Sequence, residues 1–345
     1  MDQRAEIILE LIVDHYVTSA EPVSSRTLAK MVDSKMSAAT IRNVMADLTE
    51  AGLISQPHIS AGRVPTDLGY RYYINKFIHP DQAARFKNLT SDAIQKDDNH
   101  RRLEDILVDA AEELSSVTSC TGVIISPQPA ISRLRNIEYL RLNDKQVLVI
   151  IVTQIGMVYN KIVQFRECPD QDILDKISHL FCEFFEGATF TDIRESLVDT
   201  LTEQNDIHEE YLAQAIRLGK KSFDINLTSE LFVLGRSNMC SFPEFQDQKS
   251  LSIVYNILDD KGALLDLLVE VMGNKGIQVR IGNENKYNAL EHCSFVASAY
   301  GNSDHLLGSI GIIGPTRMNY PRIISELDYS AQKLSYEVDQ FLKTS

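Results

Sequence analysis

No run of 18 apolar residues occurs in this 345-residue chain, which argues against a membrane-spanning helix. Cysteine is sparse: Cys120, Cys168, Cys182, Cys240 and Cys293 are scattered, odd in number and form no C-x-x-C pair. That pattern argues against a disulfide framework and a zinc site, and points to reduced thiols in a cytoplasm. None of the eight histidines forms an H-x-x-x-H or H-E-x-x-H pair. His208-Glu209-Glu210 lacks the second histidine and reads as solvated helix charge, and His292-Cys293 lacks the context of a thiol catalyst. Gly308, Gly311 and Gly314 are spaced G-x-x-G-x-x-G, which is the spacing of close strand packing and not of a dinucleotide loop. Gly219-Lys220 lacks the upstream glycine of a P-loop, and Asp259-Asp260 reads as an exposed turn before a helix. Internal repeats and low-complexity tracts are missing as well. The expectation is a non-enzyme without cofactor or metal.

Net basic charge is also lacking, since the formal charge is -14. Such a balance opposes nucleic-acid binding until it is divided by segment. Residues 1–78 hold 8 Lys and Arg against 9 Asp and Glu, whereas the remainder holds 26 against 39. Within 35–78 the count is 5 against 3. The acid therefore lies mostly outside the N-terminal segment, and a locally balanced reader on an acidic body can still bind DNA in a salt-sensitive way. The hydrophobic content of 44% and charged content of 24% are those of a globular protein, and the length suggests two or three domains.

What is present is concentrated in Ser37–Thr66. Ser37 is a good N-cap, and Ile41, Val44, Met45 and Leu48 follow at i, i+3, i+4 and i+7, so one helix face is apolar. Thr40, Arg42, Asn43 and Asp47 fall on other faces, and Gly52 ends the helix. Leu53–Pro57 and Arg63–Pro65 can pair as two short strands around the tip His58–Gly62. A helix with a hydroxyl- and amide-bearing face beside a ribbon ending in Gly-Arg suits entry into the major groove of DNA. Arg42 and Asn43 can make paired hydrogen bonds to guanine and adenine edges. Ser37 and Thr40 can hold phosphates, or Ser37 can serve only as a cap. Arg63, after flexible Gly62, is placed for phosphate or a minor groove. Arg71 is placed for phosphate or for an acidic partner.

Upstream, MDQRAEIILELIVDHY carries acids within its apolar periodicity and lacks a small-residue cleavage site, so it predicts a helix over 3–17 and not a signal peptide. Ile7, Ile8, Leu11, Ile12 and Tyr16 are expected inward. Glu21-Pro22-Val23 breaks it, and Ser24 or Ser25 caps a second helix from Arg26 to Val32. Helix, turn, helix and ribbon is the order of a winged helix-turn-helix, although a small helical bundle that binds a protein or nothing has the same pattern. Thr66 caps a further helix, Asp67–Phe77, with Tyr70, Tyr73, Ile74 and Phe77 packed back and Arg71 and Lys76 outside. After a polar stretch over 79–100 comes an apolar stripe from Leu103 to Val117. Strand-like runs at Thr121–Ser126, Leu134–Leu142, Gln146–Thr153, Met157–Phe165, Ile277–Ile281, Ser294–Tyr300 and Gly308–Ile313 suggest one antiparallel sheet. A C-terminal striped helix from Tyr320 to Phe341 is expected beside the first striped helix across one sheet face. Between about 167 and 250, helices at Ile173–Phe185 and Ile207–Leu218 and a short strand at Glu230–Leu234 interrupt the sheet.

Across nearly its full length the chain resembles the HrcA family of bacterial heat-inducible transcription repressors. The resemblance rests on Glu21–Leu28 (EPVSSRTL), Ser37–Leu48, Gln56-Pro57-His58, Ser60–Thr66 (SAGRVPT) and Gly69-Tyr70-Arg71. It continues through Leu114-Ser115, Thr118, Pro243-Glu244-Phe245 and Gly311–Tyr320 (GIIGPTRMNY), with Ile59 departing from the family's usual Thr. The resemblance implies an α+β chain with four parts. They are a winged helix-turn-helix over 1–80, a linker over 81–100, a discontinuous GAF-like domain over 101–166 and 251–345, and an inserted α/β dimerisation domain over 167–250. It implies a cytoplasmic homodimer, nucleoid-associated when bound to the CIRCE inverted-repeat operator ahead of groE and dnaK type operons, and kept active by the GroE chaperonin. The expected DNA-binding set is Ser37, Ala39, Thr40, Arg42, Asn43, His58, Ser60, Arg63, Thr66 and Arg71. A different reading is a small-ligand sensor, with a metabolite held in the GAF-like body and DNA binding as its output.

Overall fold

The computed structural model describes residues 1–32, 36–58, 61–77, 102–127, 133–154, 157–166, 168–203, 210–223, 230–274, 276–301 and 306–344. Ser60 and the expected linker over 81–100 lie outside these residues. The chain is α+β and divides into two units, one of Met1–Ile125 with Leu231–Tyr336, the other of Ser126–Glu230 with Glu337–Ser345.

The first unit begins with α1 (Gln3–Ser19), α2 (Ser25–Met31) and α3 (Ala38–Glu50), followed by a ribbon of β1 (Ile54–Ser55) and β2 (Val64–Pro65) and then α4 (Asp67–Phe77). The inward face of α1 is rotated from the expected one: Leu9 and Val13 join Ile8 and Ile12 in the core, and Ile7 is exposed. The run IILELIV is apolar on more than one face, so periodicity alone does not choose between them. Ser24 caps α2 by accepting from Thr27 N–H at 3.1 Å, and Ser37 caps α3 in the same way through Thr40 N–H at 3.1 Å. Gly52 takes the left-handed conformation, φ 72°, that stops α3. Its N–H bonds the Thr49 carbonyl and that of Leu53 bonds the Leu48 carbonyl, which satisfies the open end of the helix.

The ribbon is shorter than the expected strands, pairing Ile54 with Pro65 and Ser55 with Val64. Beyond it the chain is stitched to the connector after α1, since Val23 and Arg63 exchange both backbone hydrogen bonds, at 3.0 and 2.8 Å. Glycine is needed for this approach, because a Cβ at Gly62 would stand 2.4 Å from the Val23 carbonyl oxygen. On α4, Tyr70, Tyr73 and Ile74 are buried and Lys76 is exposed, as expected, with Lys76 3.5 Å from Glu6 of α1.

The rest of this unit comprises α5 (Leu103–Thr118), β3 (Thr121–Ile125), β7 (Leu231–Leu234), α9 (Gln248–Asp259), α10 (Lys261–Met272), β8 (Gln278–Ile281), β9 (Cys293–Gly301), β10 (Leu306–Pro315) and α11, which starts at Tyr320 and runs to Thr344. Five strands form one antiparallel sheet in the order β7-β3-β10-β9-β8. One face carries Val123, Ile125, Phe295 and Ile313 against Leu264, Leu267, Leu268 and Val271 of α10 and Val254 of α9. Against the other face lies α5, whose Ala111 carbonyl would be 2.5 Å from a Cβ at Gly122. As the apolar stripes suggest, α5 and α11 lie together, linked by Lys333 and Glu113 at 2.6 Å.

The second unit contains β4 (Leu134–Asn143), β5 (Gln146–Thr153) and β6 (Val158–Gln164), then α6 (Gln171–Phe185), α7 (Phe190–Glu203) and α8 (Glu210–Phe223). The strands form a separate antiparallel meander, β4-β5-β6. This corrects the single-sheet expectation and moves the interruption to 126–230, in place of 167–250. The reason lies in hydrogen-bond capacity. Both edges of β3 are already paired, one with β10 and one with β7, so β4 cannot pair with the strand that precedes it. The short strand read as part of the insertion is that second partner. Because every pairing in the meander is antiparallel, the expected α/β character of the insertion becomes α+β.

One meander face packs Ile137, Tyr139, Val149, Ile151 and Val163 against Leu174, Ile177, Phe181 and Phe190 of the helices. The opposite face is open and mixed, with apolar residues on all three strands and Glu138 and Asn160 on either side of Ile150. Leu148 pairs between Leu140 and Ile162, and Val152 lies opposite Val158. Leu140, Leu142, Val158 and Ile162 are 42, 49, 60 and 54% exposed, respectively.

Candidate nucleic-acid interface

Three buried residues of α3, Ile41, Met45 and Leu48, fix how the helix sits on its neighbours. Everything at the complementary positions is turned to solvent: Ala39, Arg42, Asn43, Ala46 and Asp47 are exposed. The spacing of Ala39, Arg42, Asn43 and Ala46 places them on one continuous helix face. Neither the Arg42 guanidinium nor the Asn43 amide has a hydrogen-bond or ion-pair partner among the described residues, so five donors on one and the two-sided amide of the other face outward together. Ser37 and Thr40 are less free. Their hydroxyls lie 2.9 Å apart and Ser37 Oγ also accepts from Thr40 N–H, so this pair builds the first turn of the helix.

The ribbon places His58 at an exposed turn, where its carbonyl accepts from Ala61 N–H at 2.9 Å. Arg63 is tied to α3: its Nε donates to Thr49 Oγ1 at 3.2 Å. The two terminal nitrogens of Arg63 remain without a partner among the described residues. Thr66 is absorbed structurally. Its hydroxyl donates to the Gly52 carbonyl at 2.6 Å and accepts from Gly69 N–H at 3.1 Å, locking the start of α4 against the end of α3.

Arg71, expected to meet phosphate or an acidic partner, has an acidic partner within the chain. Its Nε donates to Glu284 Oε1 at 2.9 Å, and its Nη2 meets Glu284 Oε2 and the Val279 carbonyl. The acidic partner is therefore present, and through Nε and Nη2 the guanidinium is tied to the body of its own unit. The hydrogen bond that it donates to Glu284 pushes the Arg71 guanidinium up, against the opposing effect of burial. On the other side, burial would raise the Glu284 carboxyl, but hydrogen bonds from Arg71 and Ile281 N–H outweigh it and hold the group below its ordinary value.

Further links join the same segments, and sequence reasoning missed them. Asp67 Oδ2 accepts from the backbone N–H and the Nδ2 of Asn283, at 3.0 and 2.9 Å. Arg317 Nε donates to Glu244 Oε1 at 2.6 Å, while its Nη1 donates to the Val17 carbonyl in the last turn of α1 at 2.7 Å. Between the ion pairs, the rings of Tyr70 and Tyr320 meet with centroids 5.6 Å apart. Burial raises the phenol of Tyr70, and its hydroxyl is enclosed without a hydrogen-bond partner among the described residues. The signal that could have revealed these links was a charged residue inside an otherwise apolar, glycine-rich motif, Arg317 in GIIGPTRMNY. Among the described residues, no three His, Cys, Asp or Glu side chains gather as metal ligands would, and no helix is long and apolar enough to cross a membrane.

Comparison with known proteins adds a consistent set of relatives. The family described as "HrcA protein C terminal domain" matches residues 104–324. A heat-inducible transcription repressor HrcA of Ruminiclostridium cellulolyticum is 35% identical over 346 residues, covering 99% of each chain. One of the same name from Geobacter sulfurreducens is 32% identical over 337 residues, covering 97% of each. A crystal structure described as a hypothetical protein, 22% identical and covered fully in both directions, aligns with a TM-score of 0.63 and shares the fold. The class is therefore that of transcription regulators, not enzymes. Within that class the chain belongs to the HrcA family of heat-inducible transcription repressors.

Proposed function

We propose that the chain represses heat-shock chaperone operons of the groE and dnaK type by binding the CIRCE inverted repeat as a homodimer. In this reading residues 1–77 act as a winged helix-turn-helix, with α3 in the major groove. Arg42 and Asn43 read base edges, Ala39 allows close approach, and Ser37 and Thr40 shape the first turn near the phosphates. His58, Ser60 and Arg63 belong to the wing, with Arg63 on phosphate or in a minor groove. The observation that carries the reading is the open α3 face, on which Arg42 and Asn43 are exposed side by side. Groove readout asks for unpaired donors and acceptors on the solvent face of a helix whose other face is anchored.

The five-stranded sheet with its helices is assigned the GAF-like role, and the unit over 126–230 the dimerisation role. Support for the latter comes from the outer face of the meander, on which Leu140, Leu148 and Ile162 adjoin across three strands. Contiguous apolar surface of this kind marks association sites. A second copy brings two readers to two half-sites, which converts two weak contacts into one tight one. The GroE chaperonin maintains the active form, heat withdraws it, and the setting is the bacterial cytoplasm and nucleoid.

A gel shift with the full chain, an inverted-repeat operator and a scrambled control tests this, with and without GroE chaperonin. Preference for the inverted repeat, raised by chaperonin, is the expected result. Equal binding to both sequences overturns operator readout. A metabolite that replaces the chaperonin effect would transfer the switch to the body as a ligand sensor.

A further inference from the structure

Two motifs in this chain, Pro243-Glu244-Phe245 and Gly311–Tyr320, have no part in the α3 face or in the open meander face. The fold brings them together at one place, the last turn of α1. Arg317 is held on one side by Glu244 and on the other donates to the Val17 carbonyl. The pair is well enclosed, with side chains 11 and 22% exposed. A cation at a helix C-terminus meets the negative end of the helix dipole, so this contact is directional as well as charged. A second anchor lies on α4, where Arg71 meets both Glu284 oxygens and the Val279 carbonyl. Asp67, one turn earlier, accepts twice from Asn283.

We propose that Arg317 and Arg71 are positioning residues that fix the angle at which α3 is presented, and so select the half-site spacing that the dimer accepts. The proposal rests on the operator-binding reading above. One contact point would let the reader pivot. Anchors on two separate helices, α1 and α4, remove rotation about either. The chemistry of the junction agrees with orientation as its task. Enclosed ion pairs contribute less to stability than well-packed apolar groups of the same size, but they tolerate few geometries. Arg71 engages its Nε and Nη2 within the chain, so an influence of this residue on DNA can run through the orientation of α3.

The test uses the full chain, an isolated half-site duplex, and inverted repeats that differ only in spacer length. Wild type should favour one spacer. Arg71→Gln and Glu284→Gln should bind the half-site as wild type does, while their spacer preference flattens by on the order of tenfold, the size of an ordinary coupling between linked sites. The swapped pair, Arg71→Glu with Glu284→Arg, should recover part of the preference. Arg317→Lys keeps the charge but not the fork, and should flatten the preference with little change in melting temperature. Variants that keep the wild-type spacer preference overturn the proposal. So does a parallel loss of half-site binding and melting temperature, which would make the junction structural only. A wild-type chain that binds half-sites but no inverted repeat preferentially overturns the dimeric operator reading instead.

Discussion

Arg317 and Glu244 stand 73 residues apart in sequence and meet at 2.6 Å, with the Val17 carbonyl on the far side of the same guanidinium. Arg317→Met leaves Glu244 enclosed without its cation and removes the donor from the end of α1. Breaking an enclosed pair from one side costs about 2–3 kcal/mol once partial exposure is allowed for. Denaturant unfolding should register that loss. The double variant with Glu244→Gln should regain part of it, because no carboxylate is then stranded.

The open face of α3 makes a different kind of prediction. Asn43→Ala removes a two-sided amide that serves no fold contact, so melting temperature should hold. Affinity for the operator should fall by about 1–3 kcal/mol, while binding to scrambled duplex stays the same. Anisotropy titrations on both duplexes at one salt concentration measure this. Equal losses on the two sequences would count against base readout.

Close backbone approach predicts the behaviour of two glycines. A Cβ at Gly69 would lie 2.0 Å from the Leu53 carbonyl oxygen, whereas at Gly262 the nearest atom is a side-chain oxygen at 3.4 Å. Gly69→Ala must push α4 off the end of α3 and should cost about 3 kcal/mol. Gly262→Ala, in the first turn of α10, should be neutral or stabilise by at most about 1 kcal/mol. Thermal unfolding of the two variants side by side tests the contrast.

Acid should loosen the α4 anchor. The Glu284 carboxyl is held below its ordinary value of 4.5 by Arg71 and Ile281 N–H, against the upward pull of burial. A carboxyl lowered in the folded state contributes stability that is fully present above 4.5 and is lost as pH falls through the folded value. Arg71 stays charged throughout. Wild type should therefore lose more stability than Glu284→Gln as pH is lowered through that window. Unfolding curves of the two proteins that remain parallel there would remove Glu284 from the acid response.

On the meander, Leu148 lies between Leu140 and Ile162 on the outer face. Leu148→Glu places a charge in the centre of that patch without touching the core on the other side. Sedimentation should show a monomer with wild-type circular dichroism, and operator affinity should collapse toward that of a single half-site. A variant that remains dimeric would move the interface elsewhere.

The α3 segment was legible because its information is local. A capping serine, a 3.6-residue apolar period and a terminal glycine all lie within Ser37–Gly52, and each finds its partner there. The sheet was less legible, since strand character is local but pairing is not. Nothing in Thr121–Ile125 announces that Leu231–Leu234 will occupy its edge. The outer meander face had a readable trace, because β5 is apolar at successive positions from Val147 to Val152, which suits a strand covered on both sides. The fate of Arg71 was illegible for the plainest reason. Its partner Glu284 is 213 residues away, and an arginine beside a segment expected to face DNA looks the same whether phosphate or carboxylate awaits it.

The open face of the meander also bears on quantity. If two copies must meet through it before the operator is held, dimer abundance in the dilute limit follows the square of the folded chain. A modest fall in folded protein then becomes a steeper fall in repression, and a modest rise restores it as sharply. Copy number itself would act as a threshold, and a cell could tune the onset of derepression by how much of this chain it makes.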